Sequence, residues 1–289
     1  VTWKTEIKGI SRKAAKRAKK GYVDAHVHIA DASGLDAVAA AGITAVRDAG
    51  TKAGKGLEVK DRDAPRVLSA GWALFRRGGY GALFGVAVET RDDIRSEILR
   101  LSRAKAGIIK LMASGLVSFE KFGEVTAGGF PSDDLAFIVE EAATRGLGVM
   151  AHASGEQAIL AAAEAGARSI EHGFFMTARS LSALAEKKIF WVPTVGALMR
   201  ASEKAGTAAQ ARSFVDGLVQ SHLDQIRRAY SMGVPLAIGT DCVLPDPKYR
   251  EAYQQEIEYF VQAGIPRDAV MRIAREGGAR LLGMQQQGT

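Results

Sequence analysis

Lys110 sits in Gly107-Ile108-Ile109-Lys110-Leu111-Met112-Ala113-Ser114-Gly115, an otherwise apolar run that reads as a buried strand. An ammonium group there must lose its charge, find a partner or take part in chemistry, because burying it unpaired is costly. Four histidines and one aspartate fall where such chemistry would need them. His26 and His28 stand two apart in the run 22–29 and therefore share one strand face. His152 lies near the end of 147–154, His172 near the end of 169–175, and Asp241 closes 235–241. Taken singly, a strand-end histidine is a packing residue and an aspartate before a loop is a cap. Together they use four of the five histidines in the chain. Imidazole with carboxylate is the ligand set of borderline divalent ions: zinc first, with manganese, iron or cobalt as alternatives. Lys110 makes sense in that company as a metal ligand rather than as a buried cation.

The elements that must position these groups alternate regularly. Eight apolar runs read as strands, at 22–29, 43–49, 66–70, 107–114, 147–154, 169–175, 190–195 and 235–241. Between them lie segments of helical period. Ser33 opens a short helix ending at Gly42, with Asp36 completing a capping box, and Thr90 with Asp93 does the same for a helix that shares Ile94, Ile98 and Leu101 on one face. Ser132 opens a helix with Leu135, Ile138, Val139 and Ala142 inward; others are read at 155–165, 177–188, 209–232 and 249–263, and a last one begins at Pro266. The connection 51–65 is weakly defined. Eight such alternations without a break predict a (β/α)8 TIM barrel over residues 21–289, with its chemistry at the carboxyl ends of the strands.

A chain of 289 residues with 47% hydrophobic content can bury the core of one such domain. The lone cysteine, Cys242, excludes an intrachain disulfide framework and fits a reducing, cytoplasmic setting. No apolar run approaches the roughly 20 residues that span a bilayer. The chain begins at Val1 rather than Met, which leaves a removed leader open, although nothing present resembles one. The formal charge of +7 is local: residues 1–20 carry eight basic side chains and one acidic, which leaves the remainder neutral. This basic segment is expected to be helical over 10–20, and a solvated helix face explains it better than a nucleic-acid or membrane partner does.

Six motifs together resemble the amidohydrolase superfamily: Val23-Asp24-Ala25-His26-Val27-His28, Ile109-Lys110-Leu111-Met112-Ala113-Ser114-Gly115, Ala151-His152-Ala153, Ile170-Glu171-His172-Gly173, Val192-Pro193-Thr194 and Ile238-Gly239-Thr240-Asp241. They follow the family's strand order, and the likeness is greatest to its imidazolonepropionase-related and Xaa-Pro dipeptidase-like branch. The resemblance implies two divalent metal ions bridged by Lys110, carboxylated by carbon dioxide to a carbamate. It places the more buried ion on His26, His28 and Asp241 and the second on His152 and His172. It implies a metal-bridging hydroxide as attacking group, with Asp241 taking its proton and returning it to the leaving group. Relatives of this kind carry a flanking β-sandwich, which is expected to be missing here. His222, inside a helical stretch, is read as structural, and Cys242 as pointing away from the pore.

Substrate contacts are less sharply marked. Where relatives read Gly-Gly-His-Gly after the third strand, this chain has Gly78-Gly79-Tyr80-Gly81. Arg76, Arg77 and Tyr80 in that loop could bind a carboxylate or phosphoryl oxygen, or could simply be solvated. Ser114 and Thr194, at strand ends, are further candidates, and Phe174 and Phe175 could line the pocket or belong to the core. The loop 116–131, with Phe119, Phe122 and Phe130, reads as a lid, as packing on neighbouring helices, or as a contact with a second subunit in a homo-oligomer. The leading expectation is a hydrolase of C–N bonds in a small, polar, amide or dipeptide-like molecule. A phosphotriester or lactone hydrolase would use the same centre. A mononuclear deaminase fits less well, since His152 is followed by Ala153, Ser154 and Gly155 before Glu156 and Lys110 would have no purpose. A protein that binds nucleic acid or membrane through its basic arm is supported by the segment 12–20 alone.

Overall fold

The structure is a computed structural model that describes residues 21–59, 64–118, 121–204 and 209–284. The basic segment 1–20, with its expected helix, and Phe119 lie outside the described residues. Among the described residues there are ten strands: β1 (Tyr22–Ile29), β2 (Ile43–Asp48), β3 (Arg66–Ser69), β4 (Ala73–Arg76), β5 (Gly85–Val88), β6 (Ile108–Met112), β7 (Gly148–Ala153), β8 (Ser169–His172), β9 (Phe190–Val192) and β10 (Cys242–Leu244). Every ladder is parallel, in two sheets ordered β10-β1-β2-β3 and β5-β4-β6-β7-β8-β9.

The helices are α1 (Gly34–Ala40), α2 (Arg91–Arg103), α3 (Ser132–Ala143), α4 (Glu156–Ala165), α5 (Ala178–Lys187), α6 (Val195–Lys204), α7 (Ala209–Ser231), α8 (Tyr249–Gln262), α9 (Arg267–Arg272) and α10 (Gly278–Leu281). A π-helical stretch, Ile273–Gly277, joins the last two. Amphipathic spacing explains their seating. Ile94, Ile98 and Leu101 of α2, and Leu135, Ile138 and Ala142 of α3, are the buried positions that period 3.6 selects. Thr90 and Asp93 form the expected capping box, and Thr177 forms one with Ser180 at the start of α5. Ser33 does not cap α1. Its own backbone is already helical (φ −58°, ψ −27°), and its N–H donates to Asp31 Oδ1 at 2.7 Å, so Asp31 makes the turn instead. No described helix is long and apolar enough to cross a membrane.

The two sheets meet at two seams. At one, Gly107 N–H donates to Ser69 O at 2.9 Å, between β3 and β6. At the other, the segment expected as strand 235–241 is reduced to a single bridge, Trp191 to Leu236, plus Ala25 N–H to Ile238 O at 2.8 Å and Asp241 N–H to His26 O at 2.7 Å. The ladders therefore do not form one continuous closed ring. Side chains interrupt the second seam: Asp24 Oδ1 takes the Thr240 N–H at 3.0 Å in place of a backbone carbonyl. Gly239 lets the segment lie this close, since a Cβ there would meet Val192 Cγ1 at 2.5 Å and His26 Cβ at 2.8 Å. Most of the apolar core lies between strands and helices, whereas Asp24, His26, Arg47, Lys110 and Glu171 are buried polar residues carried by β1, β2, β6 and β8.

Candidate metal centre

On β1, alternation puts Asp24, His26 and His28 on one face, and each is buried. His28 Nδ1–H donates to Gly50 O at 2.5 Å, which leaves Nε2 as the bare nitrogen, 3.1 Å from Asp241 Oδ1. His26 Nδ1 lies 2.7 Å from Glu171 Oε2, and its Nε2 is 3.3 Å from the same Asp241 oxygen. That Nε2 is buried without a hydrogen-bond partner. His172 Nδ1 is 2.7 Å from Thr194 Oγ1. In all three rings the far nitrogen is held and the near one is left to ligate, which is how metal-binding histidines are oriented. His152 is turned the other way: its Nε2–H donates to Gly115 O at 3.0 Å, so Nδ1 is the free nitrogen. The rings of His26 and His172 lie 5.1 Å apart and those of His152 and His172 4.6 Å apart.

Ligand atoms of His26, His172 and Asp241 all lie within 4.8 Å of one another. The three therefore stand close enough together to surround an ion. Burial, reinforced by the charge of Lys110, pulls His26 and His152 down to about 4, and burial pulls His172 well below the usual histidine range. Neutral imidazole is the form that binds metal. Burial alone would raise Asp241, but His26, His28 and His172 override it and hold the carboxylate ionised. Lys110, on β6, is 1% exposed and is pulled down to about 8 by burial, against the opposing influence of Glu171 and Asp241. It forms an ion pair with neither. Such a donor set, with an orphaned imidazole nitrogen at its centre, fits a divalent ion.

Sequence reasoning missed the layer beneath the ligands. Glu171 is fully buried and accepts from Arg47 Nη2 at 2.8 and 2.9 Å, from Ser169 Oγ at 2.5 Å and from His26 Nδ1. Burial would raise its pKa, yet Arg47 and His26 bring it to about 2. Asp24 accepts from His26 N–H, Thr240 N–H, Thr240 Oγ1–H and Tyr249 OH, tying β1 to the segment that carries Asp241. Arg47 in a buried strand posed the same question as Lys110, and its charge was the available signal. Replacing Glu171 by Ala strands the Arg47 guanidinium, and we expect a loss of roughly 3–5 kcal/mol of stability, read by urea unfolding; a loss below 1 kcal/mol would show that Arg47 finds another partner.

Backbone strain collects here too. His172 (φ 64°), Phe175 (φ 61°), Thr194 (φ 49°) and Asp241 (φ 56°) are left-handed non-glycine residues at strand ends, at a cost of order 1–3 kcal/mol each. The strain lets neighbours on one strand face the same way. Glu171 and His172 both point toward His26, and Thr240 and Asp241 both turn toward β1.

The substrate candidates are scattered. Tyr80 packs its ring 5.1 Å from that of His152. Arg76 and Arg77 are exposed, and Arg77 pairs with Glu89 at 2.7 Å. Ser114 is buried, with its hydroxyl donating to Gly115 O and accepting from Ser154 N–H. Thr194 is fully buried, its hydroxyl on His172. Phe122 of the 116–131 loop is half exposed and rests on Phe175 and Phe214. His222 is buried in α7, and Cys242, also buried, is pushed up to about 12 by desolvation.

A parallel α/β fold that gathers imidazoles, a lysine and a carboxylate from its strands and from the segment before β10 has the donor groups of a divalent metal site. The sequence narrows this further: a model of the amidohydrolase family matches residues 20–289, and the chain belongs to that family. Ochratoxinase of Aspergillus niger is 28% identical over 227 residues, covering 69% of this chain and 46% of that protein. An uncharacterized protein of Mycobacterium tuberculosis is 28% identical over 240 residues, covering 76% of this chain and 63% of that protein. The chain thus spans about half the length of the first of these relatives and under two-thirds of the second. Among solved structures, a Xaa-Pro dipeptidase with methionine bound in its active site aligns with a TM-score of 0.76 at 22% identity, over 91% of this chain and 75% of that one. A. niger ochratoxinase aligns with a TM-score of 0.76 at 23% identity, over 90% and 71%. At these identities the structural likeness shows the fold.

Proposed function

We propose that this chain is a binuclear metal-dependent hydrolase that cleaves a C–N bond in a small, polar, amide or dipeptide-like substrate. In this reading His26, His28, Lys110, His152, His172 and Asp241 hold two divalent ions, zinc first, and the two sheets are halves of one (β/α)8 barrel. The observation that carries it is the convergence of His26, His172 and Asp241 around a buried imidazole nitrogen that has no other partner. The likeness in fold to a Xaa-Pro dipeptidase supports a dipeptide-like substrate.

When bound, the ions supply an acidic water at neutral pH and polarise the substrate carbonyl. The chain's own groups do the rest. Lys110, pulled down to about 8, reaches its neutral form readily. That form is the nucleophile that carbon dioxide carboxylates, and the resulting carbamate exchanges a buried cation for an anion suited to two cations. Asp241, held ionised and still 20% exposed at its side chain, takes the proton of the attacking water on a carboxylate oxygen and delivers it to the leaving nitrogen. Glu171 and Gly50 fix His26 and His28 so that the bare nitrogens need no reorganisation. A panel of N-acyl amino acids, dipeptides, lactones and phosphotriesters assayed on the zinc-loaded protein tests the assignment. Turnover of amide substrates is expected; turnover of lactones or phosphotriesters with none of amides would overturn the C–N assignment.

A further inference from the structure

The turn Pro193-Thr194-Val195-Gly196, between β9 and α6, is gripped by two buried side chains that have no part in ligation. His222 of α7, 2% exposed, donates from Nε2–H to Pro193 O at 3.2 Å while its ring packs between Phe174 and Trp191, at 4.4 and 5.3 Å. Glu256 of α8, fully buried, accepts from Val195 N–H at 3.2 Å on Oε2 and from Gly196 N–H at 2.5 Å on Oε1. These are the first amides of α6, which have no partner inside their own helix. Between the two grips stands Thr194, a β-branched residue at φ 49°, a conformation it leaves unless its surroundings hold it there. Its hydroxyl is the partner of His172 Nδ1. Trp191, in β9 just before the turn, donates from Nε1–H to His172 O at 2.9 Å.

We propose that Glu256 and His222 are positioning residues: they hold the 193–196 turn so that strained Thr194 presents its hydroxyl to His172, and through that bond they set the affinity of the metal ion bound by His172. The inference rests on the metal reading above. Burying a carboxylate under α6 is costly. The two amides, with Arg200, oppose that cost, but burial still pushes the carboxyl up to about 8; the side chain grips the turn from the carboxyl side of Thr194 as His222 does from its amino side. The chain of contacts runs from α8 through the backbone to a hydroxyl and then to a ligand ring. Loss of any link should therefore appear in metal affinity and not only in stability.

The test is zinc binding by metal-free protein, followed by equilibrium dialysis with elemental analysis, alongside thermal unfolding. Thr194→Val and Glu256→Gln are each expected to weaken one zinc site by roughly 10–100-fold, the cost of losing an outer partner of a ligand. Thr194→Ser, which keeps the hydroxyl, retains wild-type affinity. The double variant Thr194→Val/Glu256→Gln binds no more weakly than Thr194→Val alone, because Glu256 acts through Thr194. If Glu256→Gln does not fold, His222→Leu carries the same expectation. Unchanged affinity in the folded single variants, or losses that add in the double variant, overturns the inference and leaves the metal reading standing. Wild-type protein that takes up no zinc overturns both.

Discussion

Lys110→Ala is expected to lose hydrolytic activity by more than the roughly 10–100-fold that removal of an outer partner costs, and to retain less metal than the wild type. The lysine is 1% exposed, near His26, His152, His172 and Asp241, and forms no ion pair among the described residues. If its role were packing, alanine would cost stability through a cavity and leave metal content alone. If it bridges as a carbamate, short carboxylic acids such as formate or acetate can enter the space left by the side chain and restore part of the activity. Rescue that depends on acid concentration, with metal content rising in step, is the outcome expected. Full activity at unchanged metal content would remove Lys110 from the centre.

Asp241→Asn is expected to lower kcat by about 10²–10⁴-fold, the range that a general acid–base contributes, with KM changed far less. Asparagine keeps the shape of the side chain and one oxygen but cannot carry the proton. Its oxygen can still face His26 and His28, from which Asp241 Oδ1 stands 3.3 and 3.1 Å. Steady-state kinetics on the metal-loaded variant, with metal content measured on the same preparation, separates a lost proton carrier from a lost ligand. Wild-type turnover would exclude Asp241 as the shuttle.

Much of this centre was legible because strand alternation is strict. His26 and His28 at i and i+2, and Lys110 inside an apolar run, announce themselves by spacing and charge. Asp24 and Arg47 went unread because their significance comes from partners 216 and 124 residues away, Thr240 and Glu171. Glu171 was hidden for another reason. Adjacent residues on a strand face opposite ways, so reading His172 inward assigns Glu171 outward, and only the left-handed backbone at His172 lets both turn in. α6 was missed because its cap is remote. Val195 and Gly196 are weak helix formers, and the carboxylate that satisfies their amides comes from Glu256. The short β4 and β5 flank a glycine-rich loop with no periodic pattern long enough to register. The strand expected at 235–241 carries the right residues, but Thr240 bonds a side chain where a ladder would have bonded backbone.

Metal content per chain, by elemental analysis of protein purified without chelator or affinity-tag metal and paired with native mass measurement of the carbamate, tests the central claim most directly. The proposed centre of His26, His28, Lys110, His152, His172 and Asp241 predicts about two divalent ions per chain, with added mass on Lys110 that is lost on acidification. Protein that carries no ion and regains none when titrated with zinc, manganese, iron or cobalt would contradict it.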